Sequence, residues 1–335
     1  MIPHVIWHSG DVTIAPASDQ ITCLALAYFL PETDGAGEQV YFAVSSPGNP
    51  LVFEPVGDGP ALTSSIGEGG VRDPFLVRDE LSGGFRLLAT NLRVFPDHDW
   101  DRARWRGSRE IVVWSSPDLE TWSEPALVPL APEAAGCTWA PESVLDGDSY
   151  LVVFSSSPAR EVWCPQTPHD GDHLRVLAAR TTDFASFSEP FVLIDPGHAV
   201  IDTDFLIAGA GDDQVVYRFT KDESDRTDAN PEAKHVFVDV GPAVSGPMTR
   251  LVNAVAADHV EQSEGPVAFE FGGRHYLLLD EFGMRGYVAF STDDLASGTW
   301  EPEDAVVIPA HARHGSVLAI TTAEREALLS GAGTR

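Results

Sequence analysis

Residues 111–115, Ile-Val-Val-Trp-Ser, and residues 122–125, Trp-Ser-Glu-Pro, form the stretch of sequence that decides the fold. The phrase is an apolar strand that ends in Ser or Thr, a short turn with an acidic residue, an aromatic residue, and then Glu-Pro before another apolar strand. It recurs at residues 176–190 and 287–302, and in a weaker form at 40–55. Self-similarity of this kind within one chain is typical of repeat architectures.

Two further sets of short apolar runs precede the copies of this phrase. One set lies directly before them, at 24–29, 85–89, 150–154, 215–219 and 275–279. Another lies ahead of that, at 71–75, 139–143, 200–204, 264–267 and 314–318. Short strands separated by Gly, Asp, Asn, Ser and Pro, without helical periodicity, indicate an all-β fold. Five units of four strands predict a five-bladed β-propeller with four antiparallel strands per blade, as a single domain over residues 1–335.

The two ends of the chain account for the fifth blade. The last unit runs out of sequence after the strand at 314–318, whereas the N-terminal segment has the later strands of a unit and no first one. We therefore expect a ring closed by N- and C-terminal segments that share a blade. Two alternatives remain, a pair of β-sandwiches and a six-bladed ring that counts the first 20 residues as a partial blade. Residues 222–234 are predicted to form an exposed loop in the fourth unit, and 322–335 a short helix with a frayed end.

The composition excludes several classes of protein. With 43% hydrophobic residues spread along 335 positions, the chain can bury enough apolar surface to fold. Its 51 acidic and 21 basic side chains give a formal net charge of -30, which repels nucleic acids and anionic membranes. Three cysteines without metal-like spacing argue against a disulfide framework. The first residues have no signal-peptide pattern, which favours a cytoplasmic protein, with secretion as the alternative if a leader has been removed.

Acidic residues mark the starts of the innermost strands. In a propeller the first strand of each blade lies against the axis, so residues near its start converge at one end of the channel. The five positions are Asp73, Glu142, Asp202, Glu264 and His314. Carboxylates that are buried together must share protons or hold a cation, so packing alone explains them poorly. Glycoside hydrolysis requires such a set, because one carboxyl group protonates the leaving oxygen and another acts on the opposite face of the sugar.

The same segments resemble glycoside hydrolase family 43, the five-bladed arabinosidases and xylosidases. The phrases that carry the resemblance are Arg-Asp-Pro-Phe at 72–75, Cys-Thr-Trp-Ala-Pro-Glu at 137–142, Val-Ile-Asp-Thr at 200–203, Glu-Gly-Pro at 264–266 and Arg-His-Gly-Ser-Val at 313–317. In order and spacing they match the family over most of the chain. Two departures are Glu142, where many relatives have Asp, and Thr203-Asp204, where Pro-Asn or Pro-Ser is frequent.

The resemblance implies a role for each of three carboxylates. Asp73 matches the general base that activates water, Asp202 the residue that orients the acid and tunes its pKa, and Glu264 the general acid. We expect an ionised Asp202 to raise the pKa of Glu264, so that Glu264 holds a proton at neutral pH. Asp204 points to the same side of the strand as Asp202 and remains an alternative. An inverting enzyme would place the carboxyl groups of Asp73 and Glu264 about 6.5 to 9.5 Å apart.

Other residues are predicted to contact the sugar or an ion. Tryptophan rings offer flat apolar faces to a sugar, and arginines donate to hydroxyl groups. The predicted substrate-binding residues are Trp139, Glu142, Arg72, Asp204, Arg313 and Trp105, with Trp100 as a further aromatic candidate. His314 resembles the histidine that in relatives faces the axial channel and holds a water shell around calcium or another cation. A structural cation is therefore predicted there, and the chemistry itself is expected to need no cofactor.

The function that these residues predict is that of an inverting, exo-acting glycoside hydrolase for oligosaccharides from plants or microbes. The favoured terminal sugar is α-L-arabinofuranose, with β-D-galactofuranoside and β-D-xyloside as alternatives. A non-catalytic carbohydrate-binding propeller is the competing class. A retaining fructan-type hydrolase would need an Asn-Asp-Pro-like phrase near the start, and residues 1–70 contain none.

Overall fold

A computed structural model describes residues 20–33, 35–159 and 172–331. Within these ranges the chain forms five sheets, each of four antiparallel strands. The first strand of every sheet contacts the first strands of its two neighbours, so the five sheets close into a ring. The predicted five-bladed all-β propeller is confirmed.

The chain enters the ring through the three outer strands of one blade and leaves it through the inner strand of the same blade. The first three strands are β1 (Ile21–Phe29), β2 (Tyr41–Ser46) and β3 (Asn49–Pro55). Blade 1 contains β4 (Val71–Arg78), β5 (Phe85–Asn91), the helix α1 (Trp100–Trp105), β6 (Glu110–Ser116) and β7 (Ala126–Pro129). Blade 2 contains β8 (Trp139–Asp146), β9 (Ser149–Ser156), β10 (Arg175–Thr181) and β11 (Phe191–Ile194).

The remaining strands complete the ring. Blade 3 contains β12 (Val200–Ala208), β13 (Val215–Asp222), β14 (Val236–Gly241) and β15 (Thr249–Val252). Blade 4 contains β16 (Glu264–Phe271), β17 (Arg274–Glu281), β18 (Gly286–Thr292) and β19 (Glu301–Pro302). The last strand, β20 (Arg313–Thr321), pairs antiparallel with β1 and makes the inner strand of blade 5, and α2 (Thr322–Gly331) follows it. The predicted sharing of one blade by both ends of the chain is therefore confirmed.

Apolar side chains fill the space between successive blades. Each of the five interfaces has its own buried cluster, formed by side chains from the facing sheets. Between blades 5 and 1, for example, Phe42 packs with Trp114 and Leu87. Full burial of one such side chain contributes about 1.5–3 kcal/mol, so these layers hold the ring together.

The recurring phrase of the sequence encodes a hydrogen-bonded turn after the third strand. In blade 1 the hydroxyl of Ser116 accepts from the amide of Leu119, and the Asp118 carboxylate accepts from the amide of Thr121. Blade 2 repeats the same turn with Thr181 and Asp183. The Ser or Thr at the strand end and the acid after it are therefore turn residues, as expected for side chains that bond to nearby backbone.

Some details differ from the sequence-based expectation. Strands β14 and β15 were not predicted, because the sequence after β13 lacks the aromatic and Glu-Pro phrase. Residues 222–234 join β13 to β14 and are exposed in the middle, but Ala233 is buried and Glu223 is half-buried. The helix expected at 322–335 is present as α2 in the described part. Cys23 and Cys137 are buried free thiols, and Cys164 lies outside the described residues.

Candidate active site

The five inner strands begin with the same irregularity. Each has a shift in its pairing with the second strand near its start, which is a β-bulge. In four of them one residue of the bulge has the left-handed conformation, namely Asp73, Ala140, Asp202 and Gly265, with φ between 47° and 51°. For residues other than glycine this conformation is strained and is concentrated at functional sites. The bulges therefore aim the starts of the strands at the axis.

The bulges also show which residues of different blades are equivalent. Asp73 and Asp202 both occupy the left-handed position, whereas Glu264 comes one residue before it and Glu142 two residues after it. Glu142 is thus equivalent to Asp204. Spacing along the sequence does not show this equivalence, because it cannot show where a bulge adds a residue.

His314 lies at the centre of the carboxylates. Its Nδ1 atom is 3.5 Å from Oδ1 of Asp73 and 3.8 Å from Oδ2 of Asp202, and its Nε2 atom is 3.4 Å from Oε1 of Glu142. Burial alone would lower the pKa of this imidazole, but the charges of Asp202, Glu142 and Asp73 raise it to about 10. At neutral pH the ring is therefore a buried cation that neutralises part of the acidic cluster.

Asp73 is held by the second strand of its own blade. Its Oδ2 atom accepts a hydrogen bond of 2.7 Å from the hydroxyl of Thr90, a residue that is fully buried. The same hydroxyl accepts from the backbone amide of Ala140 in blade 2. Thr90 thus fixes the carboxylate of Asp73 and joins two inner strands.

Asp202 and Asp204 face different partners. Oδ2 of Asp202 accepts from the amide of Gly265, and burial raises the pKa of Asp202 to about 6 despite the nearby His314. Oδ2 of Asp204 accepts from the amide of Ala268, and burial likewise raises its pKa to about 6. Of the two, Asp202 is the one whose pKa is raised further by the charges of Glu264 and Asp73.

Glu142 and Asp204 form a second acidic pair. Burial and the charge of Asp204 raise the pKa of Glu142 well above its usual range. Its Oε1 atom faces His314. Protonation of Glu142 is therefore favoured relative to that of a free glutamate, because it reduces the repulsion between the two carboxyl groups. Glu142 therefore supports the site from within the core.

Glu264 is held by two cations from neighbouring strands. Lys221 on β13 donates to its Oε2 atom over 2.7 Å, and Arg313 on β20 donates to its Oε1 atom over 2.8 Å. Burial would raise the pKa of Glu264, but Lys221 and Arg313 outweigh burial and lower the pKa to about 2. The expectation that Asp202 raises the pKa of Glu264 was therefore wrong for the unliganded site, because two ion pairs dominate.

The predicted cation site does not fit direct coordination by His314. A protonated imidazole donates from both nitrogens and has no lone pair for a metal. No group of three or more His, Cys, Asp or Glu side chains in residues 20–33, 35–159 and 172–331 has an arrangement that could hold a metal ion. A cation held through water molecules near His314 stays a prediction.

The aromatic predictions divide into two groups. Trp139 is half-buried and packs edge to face against Trp100, which is 41% exposed on α1, with ring centroids 6.3 Å apart. These two rings form a wall next to the start of β8. Trp105 is only 3% exposed and borders a separate surface cleft of about 920 Å³ that contains none of the predicted carboxylates. The prediction that Trp105 contacts the sugar was wrong, because it belongs to the core.

The two predicted arginines also differ. Arg313 bridges Asp280 and Glu264 and keeps 16% of its side chain exposed, so it borders the predicted acid. Arg72 is buried, pairs with Glu32 and Glu38, and stacks on aromatic rings. Its charge is used within the protein, so the predicted role of Arg72 as a donor to sugar hydroxyl groups is not supported.

Lys221 is the functional residue that sequence reasoning missed. Its side chain is 2% exposed, and its Nζ atom lies 2.7 Å from Glu264 and 2.9 Å from Glu223. A signal was present, because Lys221 is one of only two lysines in the chain and lies two residues after the end of the predicted second strand at 215–219. Interpreting that signal requires the neighbouring blade, which the sequence alone does not place.

The fold and the site together define a class of protein. A propeller whose axial mouth gathers carboxylates from several blades, with two of them partly open to solvent, has the groups that carbohydrate hydrolysis requires. A family model described as a probable glycosyl hydrolase domain, related to family 43, matches residues 19–326. The chain belongs to this glycosyl hydrolase 43-related family, so the predicted resemblance is confirmed.

Individual relatives show the same family. An α-L-arabinofuranosidase from Bifidobacterium longum subsp. longum is 30% identical over 314 residues, which cover 84% of this chain and 29% of that protein. The chain thus spans less than a third of the length of this relative.

Two solved structures resemble the fold alone. A GH43_1 enzyme from Xanthomonas citri complexed with xylotriose is 16% identical, with a TM-score of 0.49, over 69% of this chain and 72% of that chain. An exo-β-1,3-galactanase from Phanerochaete chrysosporium with galactose is 13% identical, with a TM-score of 0.46, over 72% and 52% of the respective chains.

Proposed function

We propose that this propeller is an inverting, exo-acting glycoside hydrolase that releases a terminal sugar, with α-L-arabinofuranose favoured. The observation that supports it most is the exposure of two carboxylates in a buried cluster. Asp73 and Glu264 keep 15% and 19% of their side chains exposed, whereas the side chains of Asp202, Glu142 and His314 keep 9%, 6% and 6%. The two open carboxylates come from blades 1 and 4 and are available to a substrate from two sides.

The chemistry follows from these two groups. Asp73 takes a proton from a water molecule while the water oxygen attacks the anomeric carbon. The bond from that carbon to the leaving oxygen breaks, and the leaving oxygen takes the proton of Glu264. His314 and Thr90 keep Asp73 oriented, and Arg313 and Lys221 keep Glu264 oriented.

The ion pairs of Glu264 predict a characteristic dependence on pH. Because the pKa of Glu264 is about 2 in the free site, only a small fraction of molecules has this group protonated at neutral pH. That fraction grows as the pH falls, so kcat/KM should rise from about pH 8 towards about pH 5 as long as Asp73 stays ionised. Activity that instead falls steadily over this range would contradict the assignment of Glu264 as the acid.

The identity of the released sugar is best tested with a panel of aryl glycosides. The family and the name of the arabinofuranosidase relative support an α-L-arabinofuranoside, and we expect release of p-nitrophenol from it to exceed release from the β-D-galactofuranoside and β-D-xyloside. Glu264→Ala serves as the inactive control. Binding of sugar without release from any member of the panel would instead indicate the non-catalytic propeller. A cytoplasmic location and a reaction without a cofactor stay predictions from the sequence.

A further inference from the structure

The second strand of each blade contacts the start of the next blade through one equivalent residue. This residue pairs across the sheet with the residue at the start of the inner strand. In the five blades the equivalent residues are Thr90, Ser155, Lys221, Asp280 and Phe29. Thr90 and Ser155 accept from backbone amides of the next blade, at Ala140 and Asp202. Their short hydroxyl groups reach the backbone of the next blade and not its carboxylates, although Thr90 also donates to Asp73 of its own blade.

Blade 3 differs from blades 1 and 2 because a lysine stands in place of the hydroxyl group. Lys221 reaches past the backbone of the next blade to the carboxylate of Glu264. Its Nζ atom also lies 4.1 Å from the centre of the Phe282 ring, so one side of the ammonium group is covered. A fully buried lysine is rare unless it is paired, and here the carboxylate that it pairs with is the proposed acid.

Glu223 fixes Lys221 from the opposite side. Its carboxylate lies 2.9 Å from Nζ of Lys221 and 3.2 Å from Nζ of Lys234, and Arg104 from α1 donates to its other oxygen over 3.2 Å. The base of the loop at 222–234 is therefore anchored beside the site. With both neighbours in place, Lys221 has little freedom to leave Glu264.

We propose that Lys221 is a positioning residue that acts through Glu264: anchored by Glu223, it holds Oε2 of the proposed acid and controls when that carboxyl group can carry a proton. This inference rests on the proposed function for its catalytic meaning. The charged groups that face Glu264 are Lys221 from β13, Arg313 and His314 from β20, Asp202 from β12 and Asp280 from β17. Lys221 and Arg313 are the two that touch it.

The direct test is to titrate the carboxyl group of Glu264 in the intact protein. The signal is the ¹³C resonance of labelled glutamate, assigned by its loss in Glu264→Gln. Lys221→Met should move the titration of Glu264 upward by about 1–3 pH units, since an opposite charge in contact typically lowers a carboxyl pKa by that amount. Lys221→Arg should keep it low.

Arg218→Met is the matched control. Arg218 lies on the same strand, is also buried and pairs with Asp239 over 2.8 Å, but does not touch Glu264. The Arg218→Met variant should have a lower free energy of unfolding, and the carboxyl group of Glu264 should titrate at the same pH as in the wild type. If Lys221→Met fails to fold, Lys221→Gln replaces it, because the amide keeps a hydrogen bond and removes only the charge.

Enzyme kinetics supply the second readout. In the variant without the lysine charge, kcat/KM of a phenyl glycoside should level off at acidic pH, where the wild type still rises. A 2,4-dinitrophenyl glycoside, whose leaving group needs no proton, should show the same profile in both proteins. An unchanged titration in Lys221→Met and Lys221→Gln, or an equal shift in Arg218→Met, would overturn the inference. If the wild type cleaves no glycoside, the proposed function fails, but the titration still decides the role of Lys221.

Discussion

The imidazole of His314 is the only side chain among the described residues that touches Asp73, Asp202 and Glu142 together. Burying three acidic groups without a counter-charge would cost several kcal/mol, and each would tend to take up a proton. A single imidazolium reduces this repulsion. His314 thus supplies positive charge to the carboxylates, and the cation that was predicted near it stays a prediction.

The charge of His314 predicts a loss of stability at alkaline pH. Its pKa is about 6.5 in the unfolded chain and is raised to about 10 in the folded protein. The stabilisation is fully present below about pH 6.5 and is lost as the pH rises through 10. Each unit of pKa corresponds to about 1.4 kcal/mol, so the free energy of unfolding should fall by a few kcal/mol over this range. His314→Gln should remove most of that dependence when unfolding by urea is measured at both ends. A parallel decline in the variant and the wild type would contradict the assigned charge.

At the scale of single residues, the sequence predicted the carboxylates of the site better than the charged side chains that contact them. Asp73, Asp202 and Glu264 were found because each lies in a short phrase with proline, glycine or a strand start. The ion pair of Glu264 with Lys221 joins positions 43 residues apart on neighbouring blades. Because the sequence does not show that contact, the direction in which the pKa of Glu264 is shifted was predicted wrongly.

At the scale of strands, the inner strand and the second strand act together. In four of the five inner strands the bulge brings one residue into the left-handed conformation, and at Ala140 and Asp202 a hydroxyl group of a second strand accepts from the amide of that residue. In blade 4 the left-handed residue is Gly265, where a Cβ atom would lie 2.6 Å from Cγ of His314. Local strain and the fixed second strands therefore position the carboxylates before any substrate is present.

Thr90→Val tests this arrangement. The change keeps the shape of the side chain but removes a donor to Asp73 and an acceptor for the amide of Ala140. We expect a loss of about 1–3 kcal/mol of stability from the buried unpaired groups, and about a tenfold fall in kcat from the lost bond to a charged carboxylate.

The matched control for Thr90→Val is Thr220→Val. Thr220 is an equally buried hydroxyl on the second strand of blade 3, and it contacts the hydroxyl of Thr203 and no catalytic carboxylate. The Thr220→Val variant should have a lower free energy of unfolding and an unchanged kcat. Equal effects of both variants on kcat would show that Thr90 has no special role in orienting Asp73.

The strands themselves were predictable where the sequence carries a turn signal. The Ser or Thr at the end of a third strand, the acid after it and the aromatic residue marked β6, β10 and β18. Strands β14 and β15 lack this signal and were missed. The bulges were not predictable either, since the residue before a proline usually favours an extended conformation and Asp73 before Pro74 does not adopt it.

For the molecule as a whole, the seam between β20 and β1 decides whether the ring closes. This seam joins the two ends of the chain through backbone hydrogen bonds, and α2 packs over it with Leu328 in the cluster between blades 5 and 1. The inner strand of blade 5 carries both Arg313 and His314, so closing the ring also completes the site. Closure of the ring and assembly of the site therefore depend on the same strand, β20.

Gly315→Ala should open this seam. A Cβ atom at residue 315 would lie 1.8 Å from the backbone oxygen of Ala27 on β1, and backbone cannot move aside easily. We expect a loss of at least about 3 kcal/mol in stability, at the upper end for overpacking, and a large loss of activity. Gly48→Ala, where a Cβ atom meets nothing within 4 Å, is the control and should behave like the wild type. Urea unfolding measures the stability of both variants. A urea midpoint of Gly315→Ala equal to that of the wild type would contradict this prediction, because the seam would then accommodate the added Cβ atom.

The most direct test of the proposed chemistry is the configuration of the first sugar released. If Asp73 activates water and Glu264 protonates the leaving oxygen, ¹H NMR of a reaction on an aryl α-L-arabinofuranoside should show β-L-arabinofuranose first, with the α form appearing only later by mutarotation. Initial release of the α form would contradict the roles of these two carboxylates.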